Sequence, residues 1–577
     1  MSTPYNAPSA TEYGNAPGYQ LKEVPRFVQF TSPVSTGHAQ GDQIGIGLPL
    51  NLVALIVSYL DDIGDIARVC RASRLLYYMT LPQLYRKVSL HSYPEIRYVG
   101  GRPEGYGSGS PFTMALNGLV TKSHAALVHD FRIWGQWREI GVEDFAKGRV
   151  PDNSMMLNIL LRAVVDKMLK LQSFSWELDC KPLKTLYQGL AARNTLTSLT
   201  IRFPNSRIPR PSVTIPPMPA LRQFRMMDYD PLCHPDDLSM LMLHSRNLQD
   251  IRLHFSPRMR REAEPSLSLE QIFGRCFKAD YAIPCKHFAM QNFYGANMLG
   301  IQNVFTPETC ESMCFIDTFG GATGAAANIF VDDTWRNLPK EMKSLFRYAR
   351  TNEMATQHKD MIRRGEGLER MYFVSARRST PTDTPGSASA PSPVTPQPSP
   401  GTVDADITQL GKDYLYALTR QHGSTLKHLL LSDQWALTPD EIGDLIRFCP
   451  NLEQLGLALN TANHNTLRLL VPFLPKLRAI RILHNDWLTQ HFNTISDEVR
   501  LEAMSKDLWK SGAENLEWIG IGDRVLKTGG NYSVVMEDGS MEMRREVLTS
   551  SREEVEGAGV EVWRLDCCDI FADPPFG

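Results

Sequence analysis

One spacing of apolar residues recurs along most of the chain: an apolar residue, two others, a second apolar residue, one other, and a third. In the first half it occurs at Val128-Phe131-Ile133, Leu171-Phe174-Trp176, Leu196-Leu199-Ile201, Leu221-Phe224-Met226 and Leu248-Ile251-Leu253. In the second half it occurs at Leu368-Met371-Phe373, Leu426-Leu429-Leu431, Leu452-Leu455-Leu457, Leu477-Ile480-Ile482, Leu516-Ile519-Ile521 and Val560-Trp563-Leu565. Uninterrupted runs start at 171, 196, 221 and 248 and at 426, 452 and 477, which are steps of 25 to 27 residues. The pattern predicts short strands in a repeat architecture.

Helices are predicted between these strands. The segment 438–441, Thr-Pro-Asp-Glu, has the form of a capping box with proline in the first helical turn. Ser154 is predicted to cap a helix over Met155–Leu171, and Gly423 to end a helix from Ile407 to His422. One strand and one helix per unit would stack into a curved solenoid with parallel strands on its concave face and helices outside. An ordinary α/β fold with parallel strands is the alternative.

A different periodicity precedes the repeats, between Leu48 and Leu90. Pro49 suits the first turn of a helix, where its missing N–H costs nothing. Apolar residues on one helical face follow at Leu52, Leu55, Ile56 and Tyr59, then at Ile66, Val69 and Cys70, and finally at Leu84-Tyr85. The pattern predicts three short helices, with a strand over Leu84–Leu90. So few helices bury little surface, so we expect this unit to bind a partner.

The order Leu48-Pro49, Ile56-x-x-Tyr59-Leu60, Val69-Cys70-Arg71 and Leu84-Tyr85-Arg86 resembles an F-box, in the version common in fungal proteins. The resemblance implies a three-helix domain over 44–90 that binds a small SKP-type adaptor and, through it, a cullin in an SCF-type ubiquitin ligase. The chain departs from the family pattern at Asn51, where an acidic residue is usual, and at Ser73-Arg74, which replace a frequent tryptophan. Three amphipathic helices of another α-domain are the alternative.

The repeats resemble the leucine-rich-repeat half of F-box proteins. The expected fold class is therefore α/β, a three-helix F-box followed by an irregular leucine-rich-repeat solenoid. The resemblance implies a substrate-recognition subunit that does no covalent chemistry, because the ligase acts by bringing substrate and conjugating enzyme together. The candidates for the F-box core and its adaptor contacts, two roles that the sequence does not divide, are Leu48, Pro49, Leu52, Ile56, Tyr59, Leu60, Val69, Leu84 and Tyr85.

Composition sets the expected boundaries. Residues 1–43 are rich in Pro, Gly, Ser and Thr and are expected to be disordered. The first half of the solenoid is placed at 110–375. A Ser/Thr/Pro-rich insertion at 376–403 is expected to be a disordered loop. Its five Ser/Thr-Pro pairs suit proline-directed kinases, but a plain flexible loop is the preferred interpretation. The second half of the solenoid and a C-terminal cap are placed at 404–577.

The repeat loses its regularity from about 257 to Gly367. A weak unit, Cys285-Phe288-Met290, lies there, and a helix is expected over Pro339–Arg350. Cys276, Cys285, His287, Cys310 and Cys314 contain only one pair with zinc-like spacing, so we predict buried thiols and neither metal nor cofactor. No catalytic motif is found. An enzyme that uses the irregular stretch from about 257 to Gly367 is nevertheless one functional alternative.

The residues that alternate with the leucines predict the binding surface, because they face the concave side. Arginine recurs between the second and third apolar residues, at Arg132, Arg225, Arg252, Arg481 and Arg564. The next outward position holds Trp134, Glu177, Arg202, Met227 and His254. We predict that an acidic or phosphorylated segment of a protein substrate binds Arg132, Trp134, Arg202, Arg225, Arg252 and His254. A solvated face whose arginines pair with neighbouring acids is the alternative.

Charge and cysteine content narrow the class of protein. The 61 Lys and Arg residues nearly balance the 63 Asp and Glu residues, so nothing indicates a nucleic-acid or membrane partner. The N-terminal stretch has no signal-peptide pattern, and no uninterrupted apolar run is long enough to span a membrane. Ten irregularly spaced cysteines predict reduced thiols and a cytoplasmic or nuclear location. A protein-binding scaffold that marks nothing for degradation is the second functional alternative.

Overall fold

The chain forms two units, residues 1–59 and 60–577. The structure is a computed structural model. It describes residues 49–96, 98–103, 110–204, 206–208, 210, 212–234, 237–258, 267–293, 295–297, 304–316, 346–352, 356–374, 405–433, 435–459, 470–483, 497–509 and 514–574. Leu48 and the segments predicted to be disordered, 1–43 and 376–403, lie outside the described residues.

The described part of the first unit is one helix, α1 (Leu50–Ser58). Its N-cap is Pro49, whose carbonyl accepts the Leu52 N–H at 2.9 Å, so the proline lies one position before the first helical turn in which it was predicted. The helix ends at Tyr59, whose N–H donates to the Ile56 carbonyl.

The second unit begins with two further helices, α2 (Ile63–Ala72) and α3 (Arg74–Leu84). Asp62 and Ser73 cap them by accepting backbone N–H groups of the first turn. The helices α4 to α15 then span Pro111–Thr121, Asp152–Lys167, Lys184–Ala191, Ser239–His244, Leu269–Ile272, Gly274–Lys278, Thr356–Arg364, Ala405–Ala417, Pro439–Phe448, Asp497–Leu508, Arg552–Gly557 and Glu561–Arg564.

The strands β1 to β21 span Lys87–Ser92, Tyr98–Val99, Arg102–Pro103, Asp130–Gly135, Ser173–Leu178, Ser198–Arg202, Gln223–Tyr229, Asp250–Phe255, Leu267–Ser268, His287–Gln291, Gly295–Asn297, Ser312–Ile316, Tyr348–Thr351, Arg370–Phe373, His428–Leu430, Ala436–Leu437, Gln454–Leu459, Ala479–Ile482, Trp518–Ile521, Arg524–Val535 and Met541–Ser550. Short 3-10 turns span Ser123–Leu127, Val142–Lys147, Pro307–Thr309, Val471–Phe473 and Ile570–Ala572, and a π-helical turn spans Leu418–His422.

One large sheet organises the second unit. Its strands run parallel, side by side, in the order β1-β4-β5-β6-β7-β8-β10-β12-β13-β14-β15-β17-β18-β19. The antiparallel strands β20 and β21 extend it at the β19 side. Spatial order follows chain order, so successive strands are joined by crossover connections. The predicted α/β class with parallel strands is confirmed.

The predicted apolar triplets build the core. In ten of the eleven, the second apolar residue lies in a strand and all three are buried, as in Leu171-Phe174-Trp176. Burial on one face of β5 alternates with partly exposed residues on the other, as a strand with one core-facing side requires.

The stretch from 257 to 367 does not interrupt the sheet. The weak unit at Cys285 forms β10, and a triplet that the sequence analysis missed, Cys310-Met313-Phe315, leads into β12. The predicted helix Pro339–Arg350 is wrong at its end, because residues from Tyr348 belong to β13, which pairs with β12 and β14. Residues 339–345 lie outside the described part of the chain.

Several predicted element ends need correction. The strand expected at Leu84–Leu90 is β1, Lys87–Ser92, because Leu84 still belongs to α3. Ser154 is not a cap: α5 begins at Asp152, and Ser154 lies buried inside it, donating to Glu139. One helix per unit is also wrong, since the described residues between β6 and β7 form none.

Two other predicted ends fit more closely. The capping box at 438–441 is confirmed, with both reciprocal hydrogen bonds present. The helix expected from Ile407 to His422 is α11 followed by the π-helical turn, which Gly423 ends.

The last predicted strand is wrong. Val560-Trp563-Leu565 spans a helix, α15, since a three-residue spacing fits a helical face as well as the repeat pattern. Arg564, predicted on the concave face, is therefore not on the sheet. The hairpin of β20 and β21 was missed, although the Asp538-Gly539 dipeptide and the alternation around it are a hairpin pattern.

Candidate docking surfaces

Helix α1 carries an exposed apolar stripe. Leu52, Leu55, Ile56 and Tyr59 leave 41%, 51%, 57% and 76% of their surface accessible. These residues share one helical face by their spacing, as predicted. An apolar stripe of this kind on a nine-residue helix is typical of a partner-binding element.

The other predicted adaptor residues lie in less open places. Pro49 is exposed, and Leu60, Val69, Leu84 and Tyr85 are half-buried. The Leu60 carbonyl accepts a hydrogen bond from Gln83 at 2.6 Å, and the Tyr85 ring lies 4.7 Å from the His124 ring. The structure thus separates a set that was predicted as one: Leu52, Ile56 and Tyr59 are exposed on a helix, whereas Tyr85 helps to fold the second unit.

The second surface is the face of the large sheet opposite the buried triplets, which we call the polar face. One side chain per strand forms a row across it through the strand register. From β1 to β19 the row is Ser89, Arg132, Ser175, Thr200, Arg225, Arg252, Ala289, Cys314, Arg350, Tyr372, Leu430, Gly456, Arg481 and Gly520. We call the polar face of β1 and β4–β7 the open part, and that from β8 to β19 the covered part.

The C-terminal segment, residues 551–574, lies on the covered part. Arg350 is at the centre of this contact: its guanidinium donates to the carbonyls of Leu565 and Asp569 at 3.0 Å and pairs with the Asp573 carboxylate at 2.6 Å. Both side chains of the Arg350–Asp573 pair are fully buried. Burial alone would raise the pKa of Asp573, but the charge of Arg350 and a hydrogen bond from the Tyr348 hydroxyl lower it, so the carboxylate stays ionised.

Arg252 holds the same segment at the boundary of the covered part. Asp250 binds its guanidinium through two contacts of 2.9 Å. The remaining N–H groups donate to the carbonyls of Ile570, Asp573 and Pro574 at 2.8 to 3.1 Å. Arg252 is fully buried, so it is not open to a second ligand while the segment is in place.

Glu561 forms a third polar contact. Its carboxylate lies 2.8 Å from His428 Nδ1, accepts the Tyr372 hydroxyl at 2.5 Å, and pairs with Arg370 at 3.1 Å. Burial alone would raise the pKa of Glu561, but the hydrogen bonds from His428 and Tyr372 and the nearby positive charges lower it to about 2. The Glu561 backbone N–H donates to Gln454 at 2.8 Å.

An apolar contact completes the covered part. Val555, Val562 and Trp563 of the C-terminal segment share a buried cluster with Tyr372, Leu430 and Trp518 on the polar face. Gly520 makes the approach of Trp563 possible, because a Cβ there would lie 2.5 Å from the indole ring.

The open part forms a groove of about 810 Å³. Hydroxyl residues of the row, Ser89, Ser175 and Thr200, line it, and Asp569 and Phe571 of the C-terminal segment line it as well. The groove therefore continues the surface on which the segment is bound.

Two of the predicted arginines are already paired with neighbouring acids, as the alternative held. Arg132 binds Glu177 through two contacts of 2.8 and 2.6 Å, with about half of the arginine side chain exposed. Arg202 donates to Asp228 at 2.8 Å. Asp228 lies at a register shift between β7 and β8, with a φ of 56°.

Trp134 and His254, also predicted to bind the substrate, have partners within the chain. The Trp134 ring stacks on His91 with centroids 3.6 Å apart. His254 Nδ1 accepts the Asp228 backbone N–H at 3.1 Å, and burial lowers the pKa of His254, so its ring is neutral. Neither supplies a positive charge to the open part.

Arg225 differs from the other predicted arginines. It is half-buried on β7, lines the groove, and makes no hydrogen bond or ion pair to the described residues. Its Nε atom is buried without a partner. Burial and the charge of Arg252 lower the pKa of Arg225, so its positive charge is poorly compensated.

Sequence reasoning missed the residues that hold the C-terminal segment, above all Arg350, Tyr372, Glu561 and Asp573. Arg350 comes directly after a buried strand residue, Ala349, in the same way that Arg225 comes after Phe224. The sequence analysis had placed Arg350 at the end of a helix. Glu561 lies inside the triplet Val560-Trp563-Leu565, which was predicted as a strand, and Asp573 lies beyond the last triplet. Glu561 contacts His428, 133 residues away, and Asp573 contacts Arg350, 223 residues away, and no local spacing indicates such contacts.

None of the ten cysteines, all of which lie in the described part of the chain, forms a disulfide bond. Burial raises the pKa of Cys276 to about 11 and that of Cys449 to about 12. Among the described residues, no three His, Cys, Asp or Glu side chains are grouped so that they could hold a metal ion. No helix in the described ranges is both long and apolar enough to cross a bilayer.

No protein-family model matches the chain, and no curated protein matches it.

Proposed function

We propose that the chain is a substrate-recognition subunit of an SCF-type ubiquitin ligase. Helices α1 to α3 act as the F-box, which binds the small adaptor and through it a cullin. The repeats act as a leucine-rich-repeat solenoid that holds a protein substrate, and the chain itself does no covalent chemistry. The proposal places the chain in the cytoplasm or nucleus, which agrees with ten free thiols.

The observation that carries the proposal is the apolar stripe of α1. Three of its four residues, Leu52, Ile56 and Tyr59, are among those that the F-box resemblance implied for the F-box core and its adaptor contacts, and all three are exposed. Three short helices in the expected order precede the repeats. The parallel strands that follow, spaced mostly 25 to 27 residues apart where the repeat is regular, support the solenoid.

A protein-binding scaffold without ligase activity is the second candidate. Two departures from the F-box pattern, Asn51 and the missing tryptophan, favour this candidate. Ser73, which replaces the tryptophan region together with Arg74, is the N-cap of α3. Both candidates use the polar face of the sheet in the same way, so they differ only in what α1 binds.

Affinity purification of the full chain tests the proposal. We expect the adaptor and the cullin to co-purify with the wild type and to be lost with a Leu55→Asp, Ile56→Asp variant, because burying two charges in an interface costs several kcal/mol, on the order of 2 or more each. Both positions are exposed, so the variant should fold normally.

Ala54→Asp is the matched control. Ala54 is also exposed, and it lies on the side of α1 away from the stripe, two residues or about 200° from Leu52. It should retain both partners. If the wild-type chain recovers neither adaptor nor cullin, the ligase proposal fails and the scaffold is favoured.

A further inference from the structure

We propose that the open part of the polar face, together with Asp569 and Phe571 of the C-terminal segment, is a composite groove for an extended acidic segment of a partner protein, whose carboxylate binds Arg225. The inference rests on the proposed function only in calling that partner a ligase substrate. The groove itself belongs to the fold whether or not α1 binds an adaptor.

The covered part shows how this face recognises a polypeptide. Arg350 and Arg252 donate to main-chain carbonyls of the C-terminal segment, and Arg350 also takes a carboxylate, that of Asp573. The row that contains them continues into the open part with Arg225, one strand beyond Arg252. The same side chain at the next row position, on the same face of the sheet, is suited to the same chemistry.

Arg225 is an arginine of the groove that has no carboxylate partner among the described residues. Arg132 and Arg202 have carboxylate partners on neighbouring strands, whereas Arg225 has no hydrogen bond or ion pair among the described residues. Asp569 is near enough to affect Arg225 electrostatically, but its Oδ1 accepts the Phe571 N–H at 2.8 Å. A half-buried guanidinium with free N–H groups in a groove is stabilised by an added carboxylate.

The groove has the length of a short peptide. From Ser89 to Arg225 the row crosses four strand spacings, about 19 Å, which roughly six extended residues would span. The hydroxyls of Ser89 and Thr200 can donate to the carbonyls of such a segment, whereas that of Ser175 already donates to Glu177 at 2.6 Å. Phe571 offers an apolar wall at the Arg225 end.

The Ser/Thr/Pro-rich insertion of this chain is a poor match for the groove. Residues 376–403 contain one acidic residue, Asp383, and two arginines, Arg377 and Arg378. A separate acidic protein segment is therefore the occupant that we propose.

Selection from a library of random twelve-residue peptides on the purified full chain tests this inference without any ligase component. We expect peptides with Asp or Glu at one fixed position to be enriched. With the best of them as a fluorescent probe, Arg225→Gln should weaken binding about tenfold or more, the usual effect of losing a charge-assisted hydrogen bond.

Arg222→Gln is the matched control, because Arg222 is an exposed arginine of the same repeat outside the groove. Phe571→Ala should also weaken binding of the probe if Phe571 forms part of the binding site. If the C-terminal segment instead competes with the peptide, the same variant would strengthen binding. Selection without acidic enrichment, equal binding by Arg225→Gln, or tighter binding by Phe571→Ala would each overturn the inference. The Leu55→Asp, Ile56→Asp variant should bind the probe normally, so failure of the ligase proposal remains a separate result.

Discussion

The covered and open parts of the polar face are built from the same strands and the same row, but they differ in what that row contains. In the covered part, small or apolar residues such as Ala289, Leu430 and Gly520 alternate with buried arginines, and the C-terminal segment lies on them. In the open part, hydroxyls and partly exposed arginines line a groove. The residues differ because the C-terminal segment excludes water from the covered part. Buried surfaces require close packing and partners for their charged groups.

The comparison also shows which arginines can bind a partner. Arg252 and Arg350 donate hydrogen bonds to the C-terminal segment. Arg132 is paired with a neighbouring glutamate, whereas Arg225 has no ion pair among the described residues. Recurrence of arginine in the sequence therefore identified the face but did not identify the residue that is free to act.

The largest effect should come from Arg350→Ala. It leaves the Asp573 carboxylate buried without its partner, which costs about 3 to 5 kcal/mol of unfolding free energy. Urea denaturation measures the loss, and faster amide hydrogen exchange over residues 561–573 should accompany it. Arg132→Ala, in the same row of the open part, should cost less than about 1 kcal/mol. Equal losses in the two variants would contradict the distinction between the parts.

Acid should loosen the covered part through Glu561. Its folded-state pKa lies below the ordinary value of 4.5, at about 2, so its contribution is complete above pH 4.5 and is lost as the pH falls towards 2. We expect Glu561→Gln to remove about 2 to 3 kcal/mol of acid-dependent stability from that window. Urea denaturation at pH 5, 4 and 3 measures it. A wild-type chain whose stability falls no more steeply than that of the variant would show that Glu561 does not hold the segment.

The smallest effect should come from Gly520→Ala. The new methyl group would meet the Trp563 ring at 2.5 Å, so the indole must shift, at a cost of about 1 to 2 kcal/mol. Thermal unfolding measures the cost. Thr200→Ala in the open part is the control and should change stability by less than about 0.5 kcal/mol. A tolerated alanine at 520 would mean that Trp563 is not packed on this face.

Local pattern was enough for the repeated strands and for some helix ends. The triplet at Leu171 and the capping box at Thr438 each act over a few residues, and both were predicted. The pattern failed where one spacing suits two structures, as at Val560-Trp563, which forms a helix. It failed again where the repeat is irregular, as at Arg350, which was predicted in a helix and lies on β13.

The sequence by itself determined the class of the fold, the regular strands and the exposed stripe of α1, because hydrophobic periodicity acts through neighbouring residues. It also indicated that arginines would line one face of the sheet. Only the tertiary structure decided that the C-terminal segment lies on the larger part of that face and that Arg225 has no ion pair among the described residues. Those facts depend on contacts such as Arg252 with Ile570, whose partners lie 318 residues apart in the chain, and such contacts are set by packing and charge pairing rather than by spacing.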